Sequence, residues 1–265
     1  MLDSMLMAFS LYSRIPVPQA KWNDESMRWC ICFLPLVGLV IGAAQWAAFA
    51  LLTHFSFGPV LRGAVLAVLP ILLSGGIHMD GFMDTCDAIH SYGSREKRLE
   101  ILKDPHVGAF AVIGGIVYFV LDFGIWSEAG KQEIPLLCLI FVLSRALSAF
   151  AAVTFPKAKK DGMLRQETDP AARGTAAAMS VTSLAVCVLM IVLNVTFSAA
   201  ETASAAFLFP LAAVSAVAAS LAVFFYYRHM AIKNFGGTTG DISGWFTQTC
   251  ELVTAAAVIA AFRCL

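Results

Sequence analysis

The chain has 265 residues, of which 59% are hydrophobic and only 14% charged, with a formal net charge of zero. Soluble globular proteins carry about 25% charged residues, so this composition points to a multi-spanning membrane protein. A neutral balance excludes a nucleic-acid binder, which would show a basic excess. Seven scattered cysteines, with no C-x-x-C pair, exclude a disulfide or zinc framework.

In chain order, Leu2, Met5, Leu6, Phe9 and Tyr12 recur at helical spacing before the breakers Pro16 and Pro18. They predict a short amphipathic helix at the membrane surface. The start lacks a basic segment ahead of its apolar stretch, so it does not read as a signal peptide. Apolar runs then predict seven spans at about 29–53, 61–79, 107–126, 134–155, 175–199, 203–226 and 245–261. The fold class expected is all-α: a polytopic transmembrane bundle of about seven spans plus the N-terminal helix, as one domain over 1–265.

Charge orients these spans. The N-terminal segment and the loops after spans two, four and six hold 14 of the 18 Lys and Arg residues. Arg62, Lys131 and Arg263 fall on the other side, and Arg145 lies inside span four. The positive-inside rule therefore places the N-terminus and the loop after span two in the cytoplasm.

That second span runs straight into SGGIHMDGFMDTCDAIH, residues 74–90. Asp80, Asp84 and Asp87 stand at i, i+4 and i+7, so on a helix three carboxylates share one face. At about 6 Å and an effective dielectric near 20, each pair repels by roughly 3 kcal/mol. No Lys or Arg within the segment offsets this. A hard cation such as Mg²⁺, Ca²⁺ or Mn²⁺ would.

Further candidates collect on the same side. Asp104 in LKDPHVG and Asp241 in GGTTGDISG are additional carboxylates, although Asp241 could equally N-cap the last helix. Gly236, Gly237, Gly240 and Gly244 read either as a flexible turn or as a nest of N–H groups for phosphate oxygens. Arg145 inside a span needs a partner: Asp122 in the neighbouring span, or a phosphate held by its planar fork. On a helix His78 lies about 160° from Asp80, and a structural and a catalytic role both stay open. Acids for Mg²⁺ and bases for phosphate, set in a membrane, suggest transfer of a phosphate-containing group from a diphosphate.

The stretch GGIHMDGFMDTCDA closely resembles the H-x-D-G-x-x-D-x-x-D motif of the cobalamin synthase family, the adenosylcobinamide-GDP ribazoletransferases. FSLYSRIPVP, LKDPHVGAF and GGTTGDISG extend the resemblance along nearly the whole chain. It implies a Mg²⁺-dependent enzyme of the bacterial inner membrane, with Mn²⁺ as a substitute and the active site facing the cytoplasm. The implied substrates are adenosylcobinamide-GDP and α-ribazole or its 5′-phosphate, with GMP released. Carried over, Asp80, Asp84 and Asp87 are metal ligands with His78 beside them. The expected catalytic set is His78, Asp80, Asp84 and Arg145; the metal set adds Asp87, Asp104 and Asp241; the phosphate-binding set is Lys159, Gly237 and Gly240. The chain departs from the family at Lys159, where Arg is usual, and in the last helix, where Glu251 stands with Gln248 rather than a second acid. The lipid bilayer is the expected environment, no nucleic-acid partner is expected, and a homo-oligomer stays open.

Two other readings compete. A CDP-alcohol phosphotransferase performs similar chemistry, but its D-x-x-D-G-x-x-A-R pattern would need an acid at Ile77 and Ala-Arg at Asp84-Thr85. An ion transporter could use Asp122 and Arg145 as an intramembrane relay, which leaves the acidic stretch unexplained.

Overall fold

The computed structural model describes residues 1–158 and 205–263, together with isolated helical positions between 174 and 192. Helix α1 (Leu2–Tyr12) is followed by α2 (Asp24–Cys30), which passes through a 3₁₀ turn (Ile31–Phe33) into α3 (Leu34–His54). Then come α4 (Pro59–Ser74), α5 (Ile77–His90), α6 (Arg95–Ile101), α7 (Ala109–Glu128), α8 (Ile134–Thr154), α9 (Ala205–Phe235) and α10 (Gly240–Arg263). The described residues contain no strand, only an isolated parallel bridge between Lys157 and Thr238. Among the described residues five helices are long and apolar enough to cross a membrane, and six if α4 with α5 counts as one broken span. The expected span at 175–199 lies largely outside the described residues.

Helix α8 is the axis of the bundle, buried along nearly its whole length. Helix α3 packs on it through Gly38 and Gly42, a G-x-x-x-G spacing. A Cβ at either glycine would collide with the carbonyl oxygens of Phe141 and Cys138. In lipid no hydrophobic force joins helices, so close backbone approach at small residues drives their association. Helix α4 contains Pro70, which leaves the Leu66 carbonyl without its usual helical donor. Gln45 of α3, fully buried, donates its Nε2 to that oxygen at 2.8 Å.

The second span departs from the sequence reading. Instead of running to residue 79, α4 stops at Ser74, and α5 leaves at 95°. Gly75 and Gly76 both take left-handed φ values, 69° and 80°, which a side chain would resist. Arg14 secures the corner: its N–H donates to the Leu73 carbonyl at 2.7 Å. At the far end of the bundle, Arg263 bonds Glu133 at 3.2 Å and the Glu128 carbonyl at 2.7 Å, and Arg62 reaches the Ala129 carbonyl. Arg62 and Arg263 thus gather at one end and the acidic helix lies at the other, the segregation that the charge count predicts.

Candidate functional site

Helix α5 presents two faces that matter. His78, Gly81 and Thr85 turn toward α10, while Asp80, Asp84 and Asp87 follow one another at i, i+4 and i+7. The crossing of α5 on α10 is the element that builds the site. A Cβ on Gly81 would stand 2.6 Å from the Asp241 carbonyl oxygen, and one on Gly244 would stand 2.9 Å from that of His78. Only glycine at these positions lets the two backbones meet. As a result Asp241, 154 residues or more from the other acids, joins Asp80 and Asp87 in bearing on the charge of Asp84.

The acids are not equivalent. Asp80 is exposed, and Asp84 and Asp241 are half-buried. Asp87 is committed to the fold: its carboxylate accepts the Gly108 N–H at 2.6 Å and the Ala111 N–H at 3.0 Å. It caps α7, whose own N-cap residue, Gly108, has no side chain to do so. Asp104, expected among the metal ligands, instead closes a local turn. It accepts the His106 N–H at 3.0 Å and bonds the His106 ring at 2.6 Å. The backbone N–H of His106, then its ring, hold the Asp104 carboxyl below its ordinary range. Among the described residues no three His, Cys, Asp or Glu side chains form a ready-made metal group.

The glycine-rich loop also differs from expectation. The Gly236, Gly237 and Thr238 N–H groups donate to the carbonyls of Ile232, Ala231 and Pro156, at 3.0, 3.1 and 2.8 Å. Those groups are therefore engaged inside the protein rather than open as a phosphate nest. Gly237 serves close approach instead, since a Cβ there would press on the backbone of residues 156–158. Gly240 opens α10 with free space around it. The cap of α10 is Thr239, whose hydroxyl accepts the Ile242 N–H at 3.3 Å, so Asp241 is released from that duty. Lys159 lies outside the described residues, directly after the 157–158 segment that bridges to Thr238.

Deeper in the bundle, Arg145 is 1% exposed and takes Glu251 of α10 as its partner, not Asp122. Ser144 donates to the same carboxylate at 2.8 Å, and Arg145 also bonds the Phe141 carbonyl at 3.2 Å. Arg145 therefore does not open onto the surface as a phosphate ligand would. Asp122 faces a small cavity between α4, α7, α8 and α10, shared with Tyr118, Trp126 and Glu251. His78 is buried, its ring stacked on Tyr12 of α1 at 6.4 Å and 13°, and its Nε2 has no hydrogen-bond partner.

Sequence reasoning missed the joint roles of Gly81 and Gly244, the cap made by Asp87, and Glu251 as the partner of Arg145. The first had a signal in the sequence, a glycine three residues after His78 and another three after Asp241. The other two had none, because their partners are remote in the chain.

Fold and site together define a polytopic helical membrane protein with a carboxylate cluster at one end of its bundle. The family model for cobalamin-5-phosphate synthase (CobS) matches residues 4–259. The chain is 42% identical to the adenosylcobinamide-GDP ribazoletransferase of Lachnoclostridium phytofermentans, over 98% of this chain and 94% of that one. It is 34% identical to the protein of that name from Geobacillus kaustophilus, covering 95% and 93% of the two chains, and 29% identical to one from Clostridium botulinum, covering 96% and 95%. No solved structure matches it. The chain belongs to the cobalamin-5-phosphate synthase family.

Proposed function

We propose that this protein joins adenosylcobinamide-GDP to α-ribazole or its 5′-phosphate, with Mg²⁺, at the cytoplasmic face of a bacterial inner membrane. A sugar hydroxyl of the acceptor gives up its proton to solvent as its oxygen attacks the phosphorus borne by the cobinamide arm. The bond from that phosphorus to the GMP oxygen breaks, and GMP leaves with the electron pair. The observation that carries this reading is the α5–α10 crossing, which brings Asp241 to Asp80 and Asp84.

The donor set fits Mg²⁺. This ion takes one or two carboxylates together with substrate phosphates and water, and needs no all-protein cage. Asp80, Asp84 and Asp241 would hold it; Asp87 would support the cluster while it caps α7. Bound there, the ion would neutralise the diphosphate and the charge developing on the departing phosphate. The carboxylates set its place, and the Gly81–Gly244 contact fixes the carboxylates. Lys159 stands as a further phosphate contact on the basic loop, and the Lys and Arg distribution supports the cytoplasmic orientation. Incubating the purified protein with adenosylcobinamide-GDP, α-ribazole and Mg²⁺ tests the reading. GMP and a cobalamin product should appear; no product, or equal turnover in excess chelator, would overturn it.

A further inference from the structure

The loop that delivers Asp241 is held by a chain of hydroxyl groups. Tyr227 of α9, 0% exposed, stacks its ring on Phe246 at 4.8 Å and 17° and packs against Phe155 at 5.4 Å. Its hydroxyl bonds the Thr238 hydroxyl and, at 3.0 Å, that of Ser243. Ser243 donates in turn to the Thr239 carbonyl at 2.9 Å. The Thr238 N–H reaches the Pro156 carbonyl at 2.8 Å, and the Ala158 N–H reaches the Thr238 carbonyl at 3.0 Å. The backbone at 238–239 is thus tied to α9, to α10 and to the segment after α8, two residues ahead of Asp241.

Thr239, 5% exposed, makes the last link. A hydroxyl carries one proton and two lone pairs. Thr239 Oγ1 spends a lone pair on the Ile242 N–H, at 3.3 Å, and its proton on Asp241 Oδ2, also at 3.3 Å. The first bond starts α10; the second contributes nothing to the helix and acts on the carboxylate alone. Its direction of control follows from the two side chains. Thr239 is β-branched on a tied backbone, so its hydroxyl has few places to go. Asp241 is half-buried and unbranched, with two rotatable bonds between backbone and carboxylate. The threonine therefore sets the aspartate, and not the reverse.

We infer that Thr239 is a positioning residue, whose hydroxyl holds the Asp241 carboxylate in the orientation in which the acidic cluster takes a divalent cation. The inference rests on the metal reading proposed above. Mn²⁺ binding to the full-length, substrate-free protein, followed by electron paramagnetic resonance, tests it. Hydrogen-bond partners of ligating carboxylates are worth about 10–100-fold in metal affinity, so Thr239→Val, which keeps the branched shape, should weaken Mn²⁺ by about tenfold or more. Thr239→Ser, which keeps the hydroxyl, should bind close to wild type. Thr239→Val also loses the α10 cap and should melt a few degrees lower, so a double variant separates the two roles. Asp241→Ala weakens Mn²⁺ binding by itself, and Thr239→Val added to it should weaken binding no further, since the hydroxyl then has no carboxylate to hold. Thr239→Gly, which gives up little of the cap but has no hydroxyl, takes the place of Thr239→Val should that protein fold poorly. Wild-type Mn²⁺ affinity in folded Thr239→Val, or an equal further loss when it is added to Asp241→Ala, would overturn the inference. Failure of the wild-type protein to bind Mn²⁺ would instead overturn the metal reading itself.

Discussion

Removing one partner of the Arg145–Glu251 pair should damage the fold far more than removing both. The two side chains are 1% and 7% exposed, and Glu251 also holds the Ser144 hydroxyl at 2.8 Å. Arg145→Met would leave that carboxylate with one neutral donor, facing Asp122 across an apolar-walled cavity. Breaking a buried pair in this way costs about 3–5 kcal/mol, whereas replacing both charges by apolar groups of similar volume is near neutral. At about 2–4 °C per kcal/mol for a chain of this size, Arg145→Met should lower the melting temperature by on the order of 10 °C. The Arg145→Met/Glu251→Leu double variant should recover most of the loss. Thermal unfolding in detergent, followed by circular dichroism, reads both. A wild-type melting temperature in Arg145→Met would refute the reasoning, as would rescue by Asp122→Asn in place of Glu251→Leu. The second result would return Asp122 as the true partner.

Other consequences can be checked alongside. Gly81→Ala puts a methyl against the Asp241 carbonyl, so α5 and α10 must part; about 1–3 kcal/mol of stability and at least 100-fold in GMP release should be lost. Asp80→Asn and Asp84→Asn should keep or slightly raise the melting temperature by relieving repulsion, yet cut turnover by orders of magnitude; near-normal rates would refute a metal-holding role. Asp87→Asn should behave differently and lower stability by about 1 kcal/mol through weaker capping of α7, read by the same melting assay. The Asp104 carboxyl, held low by His106, keeps its turn at neutral pH and loses it as acid protonates the group. Asp104→Asn should therefore speed hydrogen exchange at residues 104–107 at neutral pH, and the difference should vanish in acid. For orientation, an impermeant external thiol reagent should label Lys131→Cys and spare Tyr92→Cys in intact cells; the reverse pattern would invert the topology.

The sequence alone determined the helical class, most of the spans, and the shared face of Asp80, Asp84 and Asp87. Each rests on local periodicity: 3.6 residues per turn and the length of an apolar run are properties of neighbouring residues. Composition likewise separated the charged ends, and Arg62 and Arg263 do collect opposite the acidic helix. Only the tertiary structure shows how the acids lie. Asp241 comes beside Asp84 because two glycines allow α10 to touch α5, and Asp104 closes a local turn with His106. The same holds for Arg145, whose partner lies 106 residues away, and for Gly237, whose role is contact with the 156–158 backbone. The bend at Gly75–Gly76 belongs to both levels. Paired glycines announce a break, but the 95° angle follows from what α5 packs against, and packing between distant segments leaves no periodic trace in a single chain.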